Sequence, residues 1–144
     1  MEMAGEKKEN MSAAGGMPAS SSKEEQNDIY DCTKIDELRT QLHNKMKEKI
    51  KEFMKEAKKR GFDKKYITEI EIDGKKKKIT ISNGHNTYMR DENNVYYVSE
   101  FEVPSTKILV QGVKILQKVI EKFSELAKED EKELKNALAA VEVL

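Results

Sequence analysis

The side chains best suited to catalysis or metal binding are few and far apart in this chain. Its two histidines, His43 and His85, have neither a second histidine nor a cysteine at the spacing of a metal site. The single cysteine, Cys32, has no obvious neighbouring base and excludes an intrachain disulfide. The four glycines that follow residue 30 lie far from one another, so they form no glycine-rich phosphate loop. We therefore expect no enzymatic activity, no metal and no cofactor.

Lysines are the side chains here that could bind a ligand, and the ligand they suit is a phosphate backbone. Between Lys45 and Lys65 there are ten cations and four acids, and the Lys75–Lys78 run adds four more lysines. A helix face and a hairpin with these charges could follow a nucleic acid without reading its sequence. The candidate nucleic-acid contacts are Lys45, Lys49, Lys58, Lys59, Arg60, Lys75, Lys76, Lys77 and Lys78.

The same lysines also fit an ordinary solvated surface, which is the interpretation we favour. Glu48, Glu52 and Glu56 each stand three residues before a lysine, and this spacing allows ion pairs along one helix. The chain has only three arginines, a side chain on which base-specific readers depend heavily. Nucleic-acid binding is therefore the alternative function.

Three tyrosines near the end of the central region raise a related question. Tyr88, Tyr96 and Tyr97 could stack on the bases of a single strand if they lay on an open sheet. Aromatic residues in strands more often pack against a covering helix. We assign Tyr97 to the core and Tyr96 to the opposite, exposed face.

Charge is arranged in blocks, although 27 basic and 27 acidic residues give the 144-residue chain a net charge of zero. Residues 1–32 contain three lysines and seven acids, a net charge of −4. Residues 33–90 contain 17 basic residues and nine acids (+8), and residues 91–144 contain seven and 11 (−4). A basic block between acidic ones indicates either a nucleic-acid surface or a subunit whose basic region meets another's acidic helix.

The domain organisation follows from composition. Residues 1–32 show no apolar periodicity and are predicted to be a disordered tail. Residues 33–128 form the predicted α+β domain, and residues 129–144 a C-terminal helical extension. No apolar run has signal-peptide length or approaches the roughly 18 residues of a membrane span. With one cysteine, this predicts an intracellular, cytoplasmic protein without a membrane partner.

The helices and strands of the domain are predicted from the spacing of apolar residues, which is three to four residues in a helix and two in a strand. Apolar residues recur at helical spacing from Ile35 to Ala57, and Gly61 is expected to end this helix. Asp73-Gly74 is a hairpin signal. Folding about this turn pairs charged residues on one face of the hairpin, Glu71 with Lys76 and Glu69 with Lys78. The same register pairs Thr68 with Ile79 and Tyr66 with Ile81 on the other face.

The meander is expected to continue after a second turn. Asn83-Gly84 repeats the turn signal, and a weaker strand should run through Tyr88 and Arg90. Val95 to Val103 then predicts a strand with Phe101 pointing inward, before the last helix begins at Ser105 or Thr106. The fold class is therefore α+β, with a long helix, an antiparallel meander of three or four strands, and a long C-terminal helix.

The most regular pattern is that of the C-terminal helix. From Leu109 to Leu144 apolar residues follow an alternating four-three spacing, and Asp130 interrupts it, so the helix is expected to bend or split there. The stripe is longer than a small sheet can cover, which indicates burial against a partner helix. The predicted oligomer interface comprises Leu109, Val113, Leu116, Ile120, Leu134, Leu138 and Val141.

The sequence thus predicts a non-catalytic, self-associating assembly or adaptor protein, with a homo-oligomer or another protein as partner. In element order the chain resembles small bacterial nucleoid-associated proteins, which dimerise through their sheets and helices. It is similar in the same way to the globular heads of coiled-coil adaptor proteins. No sequence motif assigns it to either family, and a shared fold does not settle function.

Overall fold

The computed structural model describes residues 28–144, and it confirms the α+β class. Helix α1 (Thr33–Lys59) is followed by strands β1 (Lys65–Ile72), β2 (Lys75–Asn83), β3 (Thr87–Asp91) and β4 (Tyr96–Val98), and by helix α2 (Thr106–Glu142). The strands form one antiparallel sheet in the order β1-β2-β3-β4. The predicted N-terminal tail, as far as residue 27, lies outside the described residues.

Helix α1 ends as its glycine predicts. Gly61 has a φ of 101°, a conformation that glycine adopts without steric cost. The amide of Gly61 donates to the carbonyl of Lys58, and that of Phe62 donates to the carbonyl of Ala57, both at 3.0 Å. This pair of bonds satisfies the last helical carbonyls and reverses the chain towards β1.

The β1–β2 hairpin has the register that turn chemistry and side-chain pairing predict. Asp73 and Gly74 both have positive φ values, 52° and 77°, as a two-residue turn with the twist of the strands requires. All four predicted cross-strand pairs are present: Glu71–Lys76, Glu69–Lys78, Thr68–Ile79 and Tyr66–Ile81.

Strand β4 is much shorter than predicted, and the inward assignment of Phe101 was wrong. The strand ends at Val98, and the side chain of Phe101 is 81% exposed. The reason lies in the next backbone groups. The amide of Ser99 donates to Nε2 of His43 on α1 at 3.1 Å, and the amide of Phe101 donates to Oγ of Ser99 at 3.2 Å. These bonds draw the chain away from β3 and satisfy amides that a longer strand would have paired.

The core lies between the two helices and one face of the sheet. Phe53 of α1, Phe123 of α2 and Tyr66 of β1 meet edge to face, with ring centroids 4.8–5.5 Å apart. The buried side chains that complete this face of the sheet are Ile70, Ile72, Ile79, Ile81, Met89, Tyr97 and Val98. Both helices therefore cover the same side, and neither covers the opposite side, here called the open face, although Thr80 and Ser82 on it are buried.

The helices run parallel to each other, and Gly112 allows them to approach β4 closely. Met46 lies near Gly112, Phe53 packs on Phe123, and Arg60 pairs with Asp130. Because the residue numbers in these contacts increase along both helices, α1 and α2 run in the same direction. A Cβ atom at position 112 would lie 2.9 Å from Cβ of Tyr97 and 3.0 Å from Cε of Met46. A glycine here is thus a packing requirement.

Helix α2 is continuous for 37 residues, or about 55 Å. Ser105 is its N-cap, and the Ser105 hydroxyl accepts from the amide of Ile108 at 3.4 Å. Asp130 does not split the helix, and its carboxylate accepts a hydrogen bond from Nε of Arg60 at 2.8 Å. The predicted boundary at residue 129 falls inside this helix, close to the level where burial ends.

Candidate interaction surfaces

The last twelve residues of α2, here called the C-terminal arm (residues 131–142), extend past the rest of the domain. Every residue of the arm is exposed. Its apolar side chains remain largely open, with exposed fractions of 69% for Leu134, 62% for Leu138 and 60% for Val141. By helix geometry the arm is about 18 Å long. It presents a row of aliphatic side chains that residues 28–144 do not cover.

The seven predicted interface residues therefore divide into two groups. Leu109 and Leu116 are buried in the core of the chain, with exposed fractions of 1% and 6%. Val113 and Ile120 are partly buried against the same core. The first half of the stripe thus covers the sheet and α1, and only the arm leaves leucines and a valine fully available to a partner.

A groove runs between α1 and α2 on the side away from the sheet, and we call it the helix groove. Its volume is about 450 Å³. Its floor is apolar, and charged side chains of α1 form one wall. The lining residues are Lys49, Glu52, Phe53, Glu56, Ile120, Phe123, Ser124 and Ala127. The sequence alone did not identify this groove, because it depends on how α1 and α2 are packed.

The stripe of α2 connects the groove to the arm. Ile120 and Ala127 line the groove, and Leu134 and Val141 follow at the same seven-residue interval on the arm. Residues seven apart lie on nearly the same side of a helix. One continuous apolar line thus begins half-buried in the groove and ends exposed on the arm.

The candidate phosphate-binding residues of α1 do not form one surface. At 100° per residue, Lys45, Lys49 and Lys59 lie within about 80° of one another, and Lys58 lies on the opposite side of α1. Two of them are already in ion pairs, Lys49 with Glu52 at 3.6 Å and Lys59 with Glu56 at 3.0 Å. Only the second of these pairs has the predicted spacing, with the acid three residues before the lysine.

Arg60 was predicted as a nucleic-acid contact, and the structure instead places it inside the domain. Its side chain is 18% exposed, and Nε donates to Oδ2 of Asp130. The guanidinium carbon lies 4.9 Å from the ring centroid of Phe123 and 5.5 Å from that of Phe62. Since these contacts enclose the guanidinium, Arg60 joins the end of α1 to the interior of α2 and is poorly placed to reach a phosphate.

The hairpin lysines also divide between two faces, because side chains alternate along β2. Lys76 and Lys78 lie opposite Glu71 and Glu69 on the open face of the sheet. Lys77 lies on the helix-covered face, where Nζ is 3.6 Å from Oδ2 of Asp91. The lysines of α1 and the exposed lysines of β2 are therefore on different sides of the domain.

The open face of the sheet brings together two tyrosines and an arginine. Tyr88 and Tyr96 have ring centroids 5.6 Å apart, and the guanidinium of Arg90 lies 6.0 Å from the ring of Tyr88. Tyr96 is 43% exposed, and Tyr97 is 4% exposed, as predicted for both. This face thus has an aromatic patch with cations nearby.

Asp91 is the most deeply buried acid among the described residues. It accepts from the hydroxyl of Tyr97 at 2.9 Å and from the amides of Asn93 and Val95 at 2.8 and 3.1 Å. Burial by itself would raise the pKa of Asp91, but these hydrogen bonds and Lys77 together hold the pKa below its usual value. Burial and the adjacent Asp91 raise the pKa of Tyr97. The Asp91 carboxylate therefore holds the β3–β4 turn, and it is too deeply buried to meet a substrate.

The two histidines are not combined in one site. His43 is buried, and its Nε2 accepts from the amide of Ser99, so the ring is neutral with its proton on Nδ1. Burial, together with the nearby Lys47, lowers the pKa of His43. His85 is exposed in the connection between β2 and β3. His43 thus has a structural role in turning the chain after β4.

A cleft with a volume of about 730 Å³ lies beside β4. It is open to solvent and includes the aromatic side chains of Tyr88, Tyr96 and Phe101. Glu100, on its wall, accepts a hydrogen bond from the amide of Thr87 at 3.1 Å. The cleft offers apolar surface, and Glu100, one of its two acidic residues, holds the start of β3 through this bond.

No cluster of three or more histidine, cysteine, aspartate or glutamate side chains suited to a metal ion occurs within residues 28–144. Over the same range neither helix has the length and apolar character needed to cross a bilayer. Comparisons of the chain with protein-family models, curated proteins and solved structures gave no match.

Proposed function

We propose that this protein is a non-catalytic assembly or adaptor protein that self-associates through the C-terminal arm. The observation that carries the proposal is the row of exposed aliphatic side chains, Leu134, Leu138 and Val141, on a helix that continues past its own core. Exposed apolar surface on a regular element is typical of a protein-binding site. An isolated helix of this length is marginally stable in water, so a partner would also stabilise the arm itself.

The magnitude of the effect can be worked from the exposed fractions. Burying a whole leucine side chain is worth about 1.5–3 kcal/mol. With 69% and 62% of their surfaces open, Leu134 and Leu138 would each contribute about 1–2 kcal/mol on burial. Four leucines in a dimer would then contribute about 4–8 kcal/mol, against an association cost of about 4–15 kcal/mol. The arms alone would therefore give weak association, and additional burial is needed for a tight complex.

The test is the molar mass in solution. Light scattering of the full chain at micromolar concentration is expected to give at least a dimer. Leu134→Glu combined with Leu138→Glu should give a folded monomer, because both residues are exposed, and any loss of helical circular dichroism should be no larger than the twelve-residue arm accounts for. Lys132→Glu, also on the arm but away from the apolar row, is the matched control and should leave the assembly intact. A monomeric wild-type protein would refute the proposal.

Nucleic-acid binding is the second candidate, and the open sheet face favours a specific form of it. Tyr88 and Tyr96 are adjacent there, with Arg90, Lys76 and Lys78 on the same side. Aromatic side chains on an open sheet with nearby cations suit single strands, since bases can stack on the rings. Glu69 and Glu71 face the two lysines across the hairpin, which weakens the positive potential. Self-association is therefore the better-supported function.

The second candidate is tested by fluorescence anisotropy with a labelled single-stranded oligonucleotide. If the sheet face binds, Tyr88→Ala and Tyr96→Ala should each weaken binding, and Lys76→Gln with Lys78→Gln should lower the salt slope by up to about 1.4 units. Lys58→Gln is a control on α1. Equal losses from the α1 control would instead place binding on the helix, and undetectable binding at low salt would remove this function.

A further inference from the structure

We propose that the C-terminal arm of one copy lies antiparallel in the helix groove of a second copy, while the second copy's arm lies in the groove of the first. The result is a closed twofold dimer. This inference rests on the proposed self-association and specifies its partner surface. It commits to a second copy of this chain as the occupant of the groove.

The first support is the continuity of the apolar line along α2. Ile120 and Ala127 lie in the groove, and Leu134 and Val141 lie on the arm at the same interval of seven. Two such helices placed antiparallel can oppose Val141 to Ile120 and Leu134 to Ala127 at the same time. The exposed part of each line is then covered by the half-buried part of the other, and about 30 Å of each helix is in contact.

The second support is charge, and it selects the antiparallel direction. Lys49 and Glu56 stand on the α1 wall of the groove, seven residues apart. Since Arg60, directly after α1, is level with residue 130 of α2, Lys49 is level with residue 119 and Glu56 with residue 126. In the register above, Glu142 of the second copy reaches the level of Lys49, and its Lys135 reaches that of Glu56. A parallel arm that opposed Leu134 to Ile120 and Val141 to Ala127 would instead bring Glu142 level with residue 58, within about 3 Å along the axis of Glu56.

The charges at the centre of the proposed interface are also compatible with the antiparallel arrangement. The twofold axis passes near residues 130 and 131 of both copies, where acidic side chains from the two chains approach each other. Arg60 neutralises Asp130 at 2.8 Å, and Lys135 lies 3.0 Å from Glu131. Asp130 and Glu131 thus each have a cation of their own chain beside them, with Lys135 lying between Glu131 and Glu56 of the second copy, and this reduces a charge repulsion that would otherwise oppose the arrangement.

The arm cannot occupy the groove of its own chain. Helix α2 is unbroken from Thr106 to Glu142, so the arm continues in a straight line past the groove and does not fold back. Within one chain Glu142 is 23 residues beyond the level of Lys49, a distance of about 35 Å. Contact between these two positions therefore requires two molecules, and this makes it a direct test.

The experiment uses the full chain with Cys32→Ser, which removes the only native cysteine. Lys49→Cys with Glu142→Cys should form a covalent dimer under mild oxidation, seen on a non-reducing gel, because the two Cα atoms must come within about 7 Å. Glu56→Cys with Glu142→Cys is the matched control for a parallel arm and should cross-link at least tenfold more slowly. Fast cross-linking of the control with none of the first variant would overturn the antiparallel assignment.

A charge exchange gives an independent measurement. Lys49→Glu and Glu142→Lys should each raise the dimer dissociation constant about tenfold, because the altered pair occurs twice. The two changes together should restore it to within about threefold, and Lys51→Glu, on the far side of α1, should have little effect. If the leucine variants abolish assembly while neither cross-linking nor charge exchange has an effect, the arms meet elsewhere and only this inference fails. If wild type is monomeric, the proposed function fails as well.

Discussion

Replacing Gly112 by alanine tests the close packing of α2 on β4. The substitution has one stabilising effect and one destabilising effect. In a helix interior alanine is favoured over glycine by about 1 kcal/mol. Against this, the new Cβ atom would lie 2.9 Å from Cβ of Tyr97 and 3.0 Å from Cε of Met46. Cε is the flexible end of a long side chain and can move. Cβ of Tyr97 is fixed to the backbone of β4, so relief there requires moving the strand or the helix.

Overpacking of this kind costs about 1–3 kcal/mol. Because Tyr97 also donates to buried Asp91, a displaced strand would lengthen that hydrogen bond, and we place the strain at the upper end, near 2–3 kcal/mol. Subtracting the roughly 1 kcal/mol gained in helix propensity leaves a net destabilisation of about 1–2 kcal/mol. The free energy of unfolding by urea, followed by circular dichroism at one fixed protein concentration, measures this difference.

The control for the gain in helix propensity is Thr40→Ala, at an exposed position of α1. It gains helix propensity without a new contact and should stabilise the protein by about 0.5 kcal/mol. If Gly112→Ala were as stable as wild type or more stable, α2 and β4 would have room between them, and the reasoning about close packing would be refuted.

Three further predictions concern side chains inside the domain. The pKa of His43 is lowered in the folded chain, so the unfolded chain binds more protons, and stability should fall as pH drops below about 6.5; His43→Gln should remove this part of a urea-monitored pH profile. An unchanged profile would contradict it. Tyr97→Phe should cost about 1–2 kcal/mol in the same assay, because buried Asp91 loses one donor. Asp130→Asn should cost about 1 kcal/mol at low salt, since it weakens the pair with Arg60, and no change at all would mean that this partly exposed pair is fully screened.

Local features of the sequence were sufficient for most of the secondary structure. The hairpin about Asp73-Gly74 could be placed residue by residue because turn chemistry, charge pairing and alternation all act between near neighbours and agree. Gly61 likewise ended α1 through contacts within six residues. Such signals are contained in the sequence itself, so no knowledge of the tertiary fold was needed to read them.

The structure departs from the local sequence pattern where a residue far away in the chain forms the deciding contact. Apolar alternation extended β4 through Phe101, but His43, 56 residues away, takes the amide of Ser99 and ends the strand. Arg60 appeared to belong to a basic surface, yet Asp130, 70 residues away, holds it inside. In both cases one hydrogen bond between distant residues overrides a local pattern, because the buried polar group must be satisfied.

For the candidate site, the sequence by itself determined that an apolar stripe runs along the last helix and that charges flank it. The seven-residue spacing is a property of any helix, so it needs no partner to be recognised. Only the tertiary structure decided which part of the stripe is free. The sheet and α1 bury it as far as Phe123, and the arm leaves Leu134 and Leu138 exposed. The helix groove likewise exists only because two segments about 70 residues apart pack side by side, and spacing within either segment cannot specify that contact.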